Sequence, residues 1–199
     1  MVGEAPRLRR GPAPMRAAAL LIVGFAAGGT AVAYAETYVV NGGCRDGEPN
    51  GAYELRMPDG RLRVIGAFTK GRRTGTFVFW AASGARIAVI PYEDNLKAGT
   101  VALWYAPANA QADLPRKLEA AYVGDWLHGI TRSWHSNGNP RTELRYERGE
   151  LIEARAWVEA GAPLPEVEAR AIAGHDFATD DRFYATLEAI VADNRPRCE

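Results

Sequence analysis

Residues 129–138 read GITRSWHSNG, and the spacing inside this stretch recurs along the chain. A glycine that precedes a tryptophan by five positions occurs three times, as Gly75–Trp80, Gly99–Trp104 and Gly129–Trp134. A divergent copy begins at Gly51 and has Tyr53 as its aromatic residue. The starts at 51, 75 and 99 are 24 residues apart, and the last lies 30 further on, so the third unit carries an insertion of about six residues. We place the insertion in the irregular stretch Ala106–Asp113.

Each unit also contains a turn signal between two strand-like runs. The signals are Asp59-Gly60, Ser83-Gly84 and Asn137-Gly138. Such dipeptides tolerate the positive φ angles that tight hairpin turns require. We therefore predict that each unit is a strand, a two-residue turn, a second strand and a looser turn that contains glycine.

The alternation of side chains supports this prediction. Folding the first unit about Asp59-Gly60 pairs Met57 with Leu62 and Leu55 with Val64, and it sorts apolar from charged residues at period two. The residues predicted to share the buried face are Tyr53, Leu55, Met57, Leu62, Val64 and Phe68 in the first unit, Phe77, Phe79, Ile90 and Tyr92 in the second, and Thr131, Ser133, Leu144 and Tyr146 in the fourth. The sequence thus predicts half-buried antiparallel hairpins.

The opposite face of the fourth hairpin is the candidate binding face. The same folding rule pairs Arg132 with Glu143 and Trp134 with Arg141, which predicts a cross-strand ion pair and a cation–π contact, with Arg145 nearby. Trp80, in contrast, is expected opposite Ile87 as a packing residue. The tryptophan series has two interpretations that the sequence leaves open, a ligand platform on alternate strands or structural packing.

These residues resemble the MORN-repeat variant, the unit of the YwqK-type antitoxin family of bacterial proteins, over roughly Gly51 to Trp157. The resemblance implies an elongated antiparallel meander of β-hairpins, with units near 51–74, 75–98, 99–128 and 129–157. It also implies a non-enzymatic protein-binding role, such as that of an immunity protein whose partner is a toxin, and no cofactor. The alternative is a structural protein of the cell envelope that contacts lipid or peptidoglycan.

Residues 158–199 form a tail of different composition, which predicts α-helix. Phe183, Leu187, Ile190 and Val191 fall on one helical stripe. Thr179 is the expected N-cap, with Asp180 and Asp181 favourable to the helix dipole there. A shorter helix is expected from Pro165 to Ala173, ended by Gly174. We expect this tail to cover the apolar face of the sheet.

The N-terminus has the features of a signal peptide. Four arginines precede an uncharged run whose most apolar part, Ala17–Ala27, is too short to span a bilayer comfortably, and Ala33-Tyr34-Ala35 provides a small-x-small cleavage motif. Cleavage after Ala35 predicts a periplasmic or secreted protein, and the alternative is an uncleaved N-terminal membrane anchor. Residues 36–50 are then a lead-in that contains Cys44.

Cleavage at this site sets the charge of the mature chain. It removes four arginines and one glutamate and leaves 20 basic and 23 acidic side chains. A chain without a basic excess is a poor binder of nucleic acid, so we exclude that partner.

The chain has two cysteines, Cys44 before the repeats and Cys198 next to the C-terminus. In an oxidising compartment such a pair predicts a disulfide, and two unpaired thiols in terminal segments are the alternative. We predict no catalytic residues and no metal site. His128, His135 and His175 lack metal-ligand spacing, and no serine or cysteine lies in a nucleophile-type turn.

The export prediction concerns the N-terminus of the mature protein. N-terminal sequencing of the periplasmic or secreted form should begin at Glu36, because signal peptidase cuts after the small-x-small motif. Recovery of the intact N-terminus from the cytoplasm would contradict the prediction.

Overall fold

The computed structural model describes residues 38–106 and 115–199, so the predicted signal peptide and its cleavage site lie outside the described residues. The protein is mainly β, an antiparallel meander of 11 strands followed by one helix. The strands are β1 (Val39–Arg45), β2 (Glu48–Arg56), β3 (Leu62–Thr69), β4 (Arg72–Trp80), β5 (Arg86–Glu93), β6 (Leu96–Lys97), β7 (Gly99–Trp104), β8 (Arg116–Val123), β9 (Trp126–Trp134), β10 (Pro140–Glu147) and β11 (Glu150–Ala156). The helix α1 spans Glu166–Asp193.

Strands that follow each other in sequence are neighbours in the sheet. The order is β1-β2-β3-β4-β5-β7-β8-β9-β10-β11, with the short β6 also paired to β5. The predicted lead-in is itself part of the sheet, because residues 39–45 form β1 and pair with β2. Between β7 and β8 lie residues 105–115, six more than the five residues 81–85 between β4 and β5. The insertion therefore lies where the repeat spacing predicts it.

The two kinds of turn are the reverse of the prediction. The loop at Asp59-Gly60 is longer than two residues: the Met57 amide donates to the Arg61 carbonyl, the Gly60 amide donates to the Met57 carbonyl, and Gly60 has a φ of 87°. This is a three-residue turn whose glycine forms a bulge. The two-residue turns with positive φ at both positions are instead Asp46-Gly47, Lys70-Gly71, Asp94-Asn95, Gly124-Asp125 and Arg148-Gly149.

The pairing shifts by one residue next to the three-residue turns. Leu55 pairs with Val64 as predicted, but Leu62 pairs with Arg56 and not with Met57. The residues predicted to share the buried face nevertheless do so, apart from Leu62, which is half-buried. The residues with less than a tenth of their surface exposed are Tyr53, Leu55, Met57, Val64, Phe68, Phe77, Phe79, Ile90, Tyr92, Thr131, Ser133, Leu144 and Tyr146.

The glycine that starts each unit has a backbone reason to recur. Gly51, Gly75, Gly99 and Gly129 all have positive φ, between 67° and 102°. Side chains with a Cβ rarely adopt this conformation, which lies inside β-strands here and not in turns.

The tail forms a single helix of 28 residues, which corrects the prediction of two segments. Gly174 does not end it, and Thr179 is not its cap, because the Thr179 hydroxyl donates to the His175 carbonyl inside the helix. Asp180 does not lie at the start of a helix. It is buried on the side of α1 that faces the sheet, where it pairs with Lys117. Packing against the sheet outweighs the helix-breaking tendency of one glycine, about 1 kcal/mol.

The inner face of the sheet is the face covered by α1, and the core lies between them. The buried residues of the helix are Ala169, Ala173, Asp180, Tyr184, Leu187 and Val191. Leu187 and Val191 of the predicted stripe are therefore buried, whereas Phe183 and Ile190 lie at its margin. Over residues 38–106 and 115–199, no helical segment has the length and hydrophobicity that a membrane-spanning helix requires.

The helix contacts the strands one after another in reverse order. The Arg170 guanidinium donates to the Leu151 carbonyl of β11, Asp176 pairs with Arg141 of β10, and Asp180 pairs with Lys117 of β8. Further along, Tyr92 of β5 donates to Glu188. The Tyr53 hydroxyl of β2 donates to the Asn194 carbonyl, just after the helix.

The Cys44–Cys198 disulfide completes this series and confirms the predicted pairing. It joins β1 to the segment after α1, with a Cα–Cα distance of 5.7 Å and a sequence separation of 154. It therefore ties the end of the cover to the first strand of the sheet.

We expect replacement of both cysteines by serine to lower the free energy of unfolding by roughly 4–5 kcal/mol, because the bond closes a very long loop in the unfolded chain. Chemical denaturation of the oxidised wild type and the Cys44→Ser/Cys198→Ser variant measures the difference. The control is wild type with reductant, which should match the variant. Two freely alkylatable thiols in the native protein, or a bond between two chains, would contradict the prediction.

Candidate functional site: the outer face of the sheet

The outer face of the sheet carries the side chains that alternate with the core residues. In the middle of the sheet these side chains are largely apolar. Ile65, Val78 and Val89 occupy consecutive positions in the register of β3, β4 and β5, and all three are half-buried. Here we call these three residues the apolar patch.

Beside the apolar patch the same register continues as a row of alternating charge. Glu119 of β8 pairs with Arg132 of β9, Arg132 with Glu143 of β10, and Glu143 with Arg155 of β11. The Arg132 Nε lies 3.0 Å from the Glu143 carboxylate, and the Arg155 Nη1 lies 3.6 Å from it. The structure thus confirms the predicted Arg132–Glu143 pair. We call these four residues the charge ladder.

Arg145 extends this arrangement along β10. Its guanidinium lies 3.2 Å from the Glu147 carboxylate and 3.6 Å from that of Glu153. Arg132, Glu143 and Arg145 of the predicted binding face are therefore brought together on the outer surface. Exposed pairs of this kind contribute little stability, about 0–1 kcal/mol each, but they define a charged surface.

Arg141 does not join them. Its guanidinium donates two hydrogen bonds to the Asp176 carboxylate of α1, at 3.0 and 2.9 Å, and that carboxylate raises the pKa of Arg141. The bulge next to the Asn137-Gly138 turn pairs Trp134 with Pro140 instead. The predicted Trp134–Arg141 stacking is therefore wrong, and Arg141 belongs to the inner side.

Cation–π stacking occurs instead at the equivalent position of the third unit. The Arg86 guanidinium lies 4.2 Å from the centroid of the Trp104 ring, and the Arg116 guanidinium lies 5.5 Å from it on the other neighbouring strand. Trp80 is paired in register with Arg86, and Trp104 with Arg116. The result is a tryptophan–arginine row that consists of Trp80, Arg86, Trp104, Arg116 and Trp134.

The row follows from the repeat and the strand order. Its three tryptophans lie on β4, β7 and β9, which are two strands apart in each case, or about 10 Å. Trp80 pairs with Arg86 and not with Ile87, and both Trp80 and Trp134 are half-buried. The expected contrast between a packed Trp80 and an accessible Trp134 is therefore not seen.

Sequence reasoning missed the two arginines of this row. A two-residue turn places Ile87 opposite Trp80, whereas the bulge of the longer turn moves Arg86 there. The six-residue insertion conceals the corresponding relation of Trp104 to Arg116. The sequence nevertheless contained a signal for these arginines. An arginine follows each of the turns at Asp59-Gly60, Ser83-Gly84 and Asn137-Gly138 within one to three residues.

The chain matches no protein-family model, and no characterised protein matches it in a sequence search.

Double-mutant cycles test the stacking that the structure shows. We expect a coupling free energy of about 0.5–1 kcal/mol between Arg86 and Trp104, measured with Arg86→Ala, Trp104→Ala and the double variant. The matched control is the cycle of Arg141→Ala and Trp134→Ala, whose coupling should be close to zero because Arg141 binds Asp176. A larger coupling for the control pair than for Arg86–Trp104 would contradict this assignment.

Proposed function

We propose that this protein is an exported, non-enzymatic protein-binding module of the MORN-variant type, and that its partner contacts the tryptophan–arginine row. The observation that carries the proposal is the stacking of Arg86 and Arg116 on Trp104 at an outer face. Tryptophan and arginine are the residue types that most often dominate the energy of protein interfaces.

The surroundings of the row support a protein as the partner. The apolar patch lies directly beside it, and the charge ladder continues the same face. Protein interfaces have this composition, with an apolar centre rich in aromatic residues and arginine and a polar rim. Stacked rings and paired charges support binding and not bond-making chemistry.

The charges of the row specify the partner further. Arg86 is exposed, and Arg63 of β3, which donates to the Trp80 carbonyl, adds a cation at the same end of the sheet. The mature chain as a whole carries a net negative charge, whereas Arg86 and Arg63 add positive charge at this end of the sheet, where Arg116 is paired with Glu119. We therefore propose that the partner has an acidic surface. If the protein acts as an immunity protein, this surface belongs to the toxin and is complementary in charge to the arginines of the row.

Comparison of four proteins in a pull-down tests the proposal. Wild type, Arg86→Glu, Trp104→Ala and Arg182→Glu are each produced as the full chain and exposed to an envelope extract of the producing bacterium. Arg182 lies exposed on α1, so its variant is the charge-matched control. Wild type and the control should capture the same protein, and the two row variants should capture at least about tenfold less, equivalent to ~1.4 kcal/mol.

The captured protein is then purified and its Kd measured at several salt concentrations. Affinity should fall as salt rises, because screening weakens the attraction between arginines and acidic groups. Equal capture by all four proteins would contradict the proposal. So would association only with a second copy of the chain, and binding only to anionic vesicles or peptidoglycan would favour the envelope role instead.

A further inference from the structure

A second candidate site lies on the other side of the sheet, beneath α1. There a cavity of about 180 Å³ lies between the strands β8 to β10 and the middle of the helix. Its volume corresponds to roughly six water molecules. Ala173 and Tyr184 mark the two ends of its helical wall.

The wall of the cavity contains three ion pairs. The Lys97 ammonium lies 3.0 Å from the Asp125 carboxylate, and the Lys117 ammonium lies 2.6 Å from Asp180. The third pair is Arg141–Asp176. Each pair places hydrogen-bond donors directly beside acceptors, and each cation has its own carboxylate. The cavity therefore offers polar contacts without an unpaired cation to attract a free anion.

One hydroxyl in this wall has no hydrogen-bond partner of ordinary geometry among the described residues. Tyr184 is 2% exposed, burial raises the pKa of its hydroxyl, and the interaction of that hydroxyl with the Tyr122 hydroxyl falls short of ordinary hydrogen-bond geometry. The two rings meet edge to face with centroids 6.3 Å apart. A buried hydroxyl without a partner is unfavourable, so this group calls for a ligand or water.

The remaining wall adds both hydroxyls and ring surfaces. The Ser133 and Thr142 hydroxyls are hydrogen-bonded to each other at 2.7 Å, and Tyr146 and Phe177 add aromatic surface. Access from solvent is provided at the rim, where the side chains of Lys117 and Arg141 are each 32% exposed and that of Asp176 is 26% exposed.

We propose that this cavity binds one neutral polyhydroxylated ring, such as a monosaccharide unit. Each hydroxyl of a vicinal diol both donates and accepts, which matches a carboxylate beside an ammonium or guanidinium group. The C–H surface of a sugar ring suits the aromatic walls, and a ring with its hydroxyls suits the volume. A pocket with apolar walls and a few convergent polar groups is the usual form of a small-molecule site.

The test is a titration of the full chain with three neutral probes, D-glucose, N-acetylglucosamine and myo-inositol. Binding is monitored through the amide chemical shifts in NMR spectra. Glycine and inorganic phosphate are the zwitterionic and anionic comparisons. At least one neutral probe should bind saturably and shift the amides of Tyr122, Ser133 and Tyr184. Neither comparison compound should do so at the same concentration.

Two conservative variants locate the binding. Tyr184→Phe removes the hydroxyl without a partner, so the variant should fold normally but bind the sugar about tenfold more weakly. Tyr92→Phe is the matched control, because its hydroxyl bonds to Glu188 outside the cavity, and its affinity should equal that of wild type.

The proposal is overturned if no neutral probe saturates, if phosphate or glycine binds preferentially, or if both variants bind as wild type does. The row variants Arg86→Glu and Trp104→Ala should retain sugar binding, which separates this result from the proposed protein interaction.

Discussion

The packing of α1 across the inner face of the sheet is the constraint on which the rest of the molecule depends. A meander of hairpins makes a single layer, and its apolar face has to be covered. The helix of 28 residues is about 42 Å long. The ten strands in the main order of the sheet span nine intervals, or about 43 Å. One helix therefore covers the whole width. It is held at one end by the hydrogen bond from Arg170 to β11, and at the other by the disulfide from Cys198 to β1.

The inner face is not uniform beneath this cover. Toward β2–β5 it is aromatic, and Phe77 packs edge to face on Phe68 and Tyr92 with centroids 5.8 and 5.4 Å apart. Toward β8–β10 it is more polar, because the buried hydroxyls of Thr131, Ser133 and Thr142 accompany the tyrosines there, and ion pairs attach the helix to the strands. Burial raises the pKa of Asp180, and the Lys117 hydrogen bond opposes that effect and favours the charged carboxylate. The cavity lies in the part of the interface where such pairs take the place of close apolar packing.

Sequence reasoning predicted the meander, the helical cover, the insertion and the disulfide, because each depends on a periodic or pairwise signal. Its errors in the hairpins have one cause. A three-residue turn displaces the register by one residue next to the turn, and a one-residue bulge in the following strand, at Arg63, Ile87 or Arg141, restores it further along. Leu55–Val64 and Arg132–Glu143 were therefore right, whereas the pairing of Trp134 was wrong. Dipeptide composition does not distinguish these two turn types, and the contact of Arg141 with α1 depends on tertiary packing.

The alternation of side chains along the strands places the centres of the two candidate sites on opposite faces of the sheet. Trp104 and Tyr105 are consecutive, yet Trp104 lies between arginines on the outer face, whereas Tyr105 lines the cavity and donates to the Trp134 carbonyl at 2.7 Å. In a strand, neighbouring side chains point to opposite faces, so each repeat unit contributes to both surfaces at once. The inner contribution is constrained by the fit to α1. The outer residues meet no such requirement, so substitutions on this face leave the fit between the sheet and α1 unchanged.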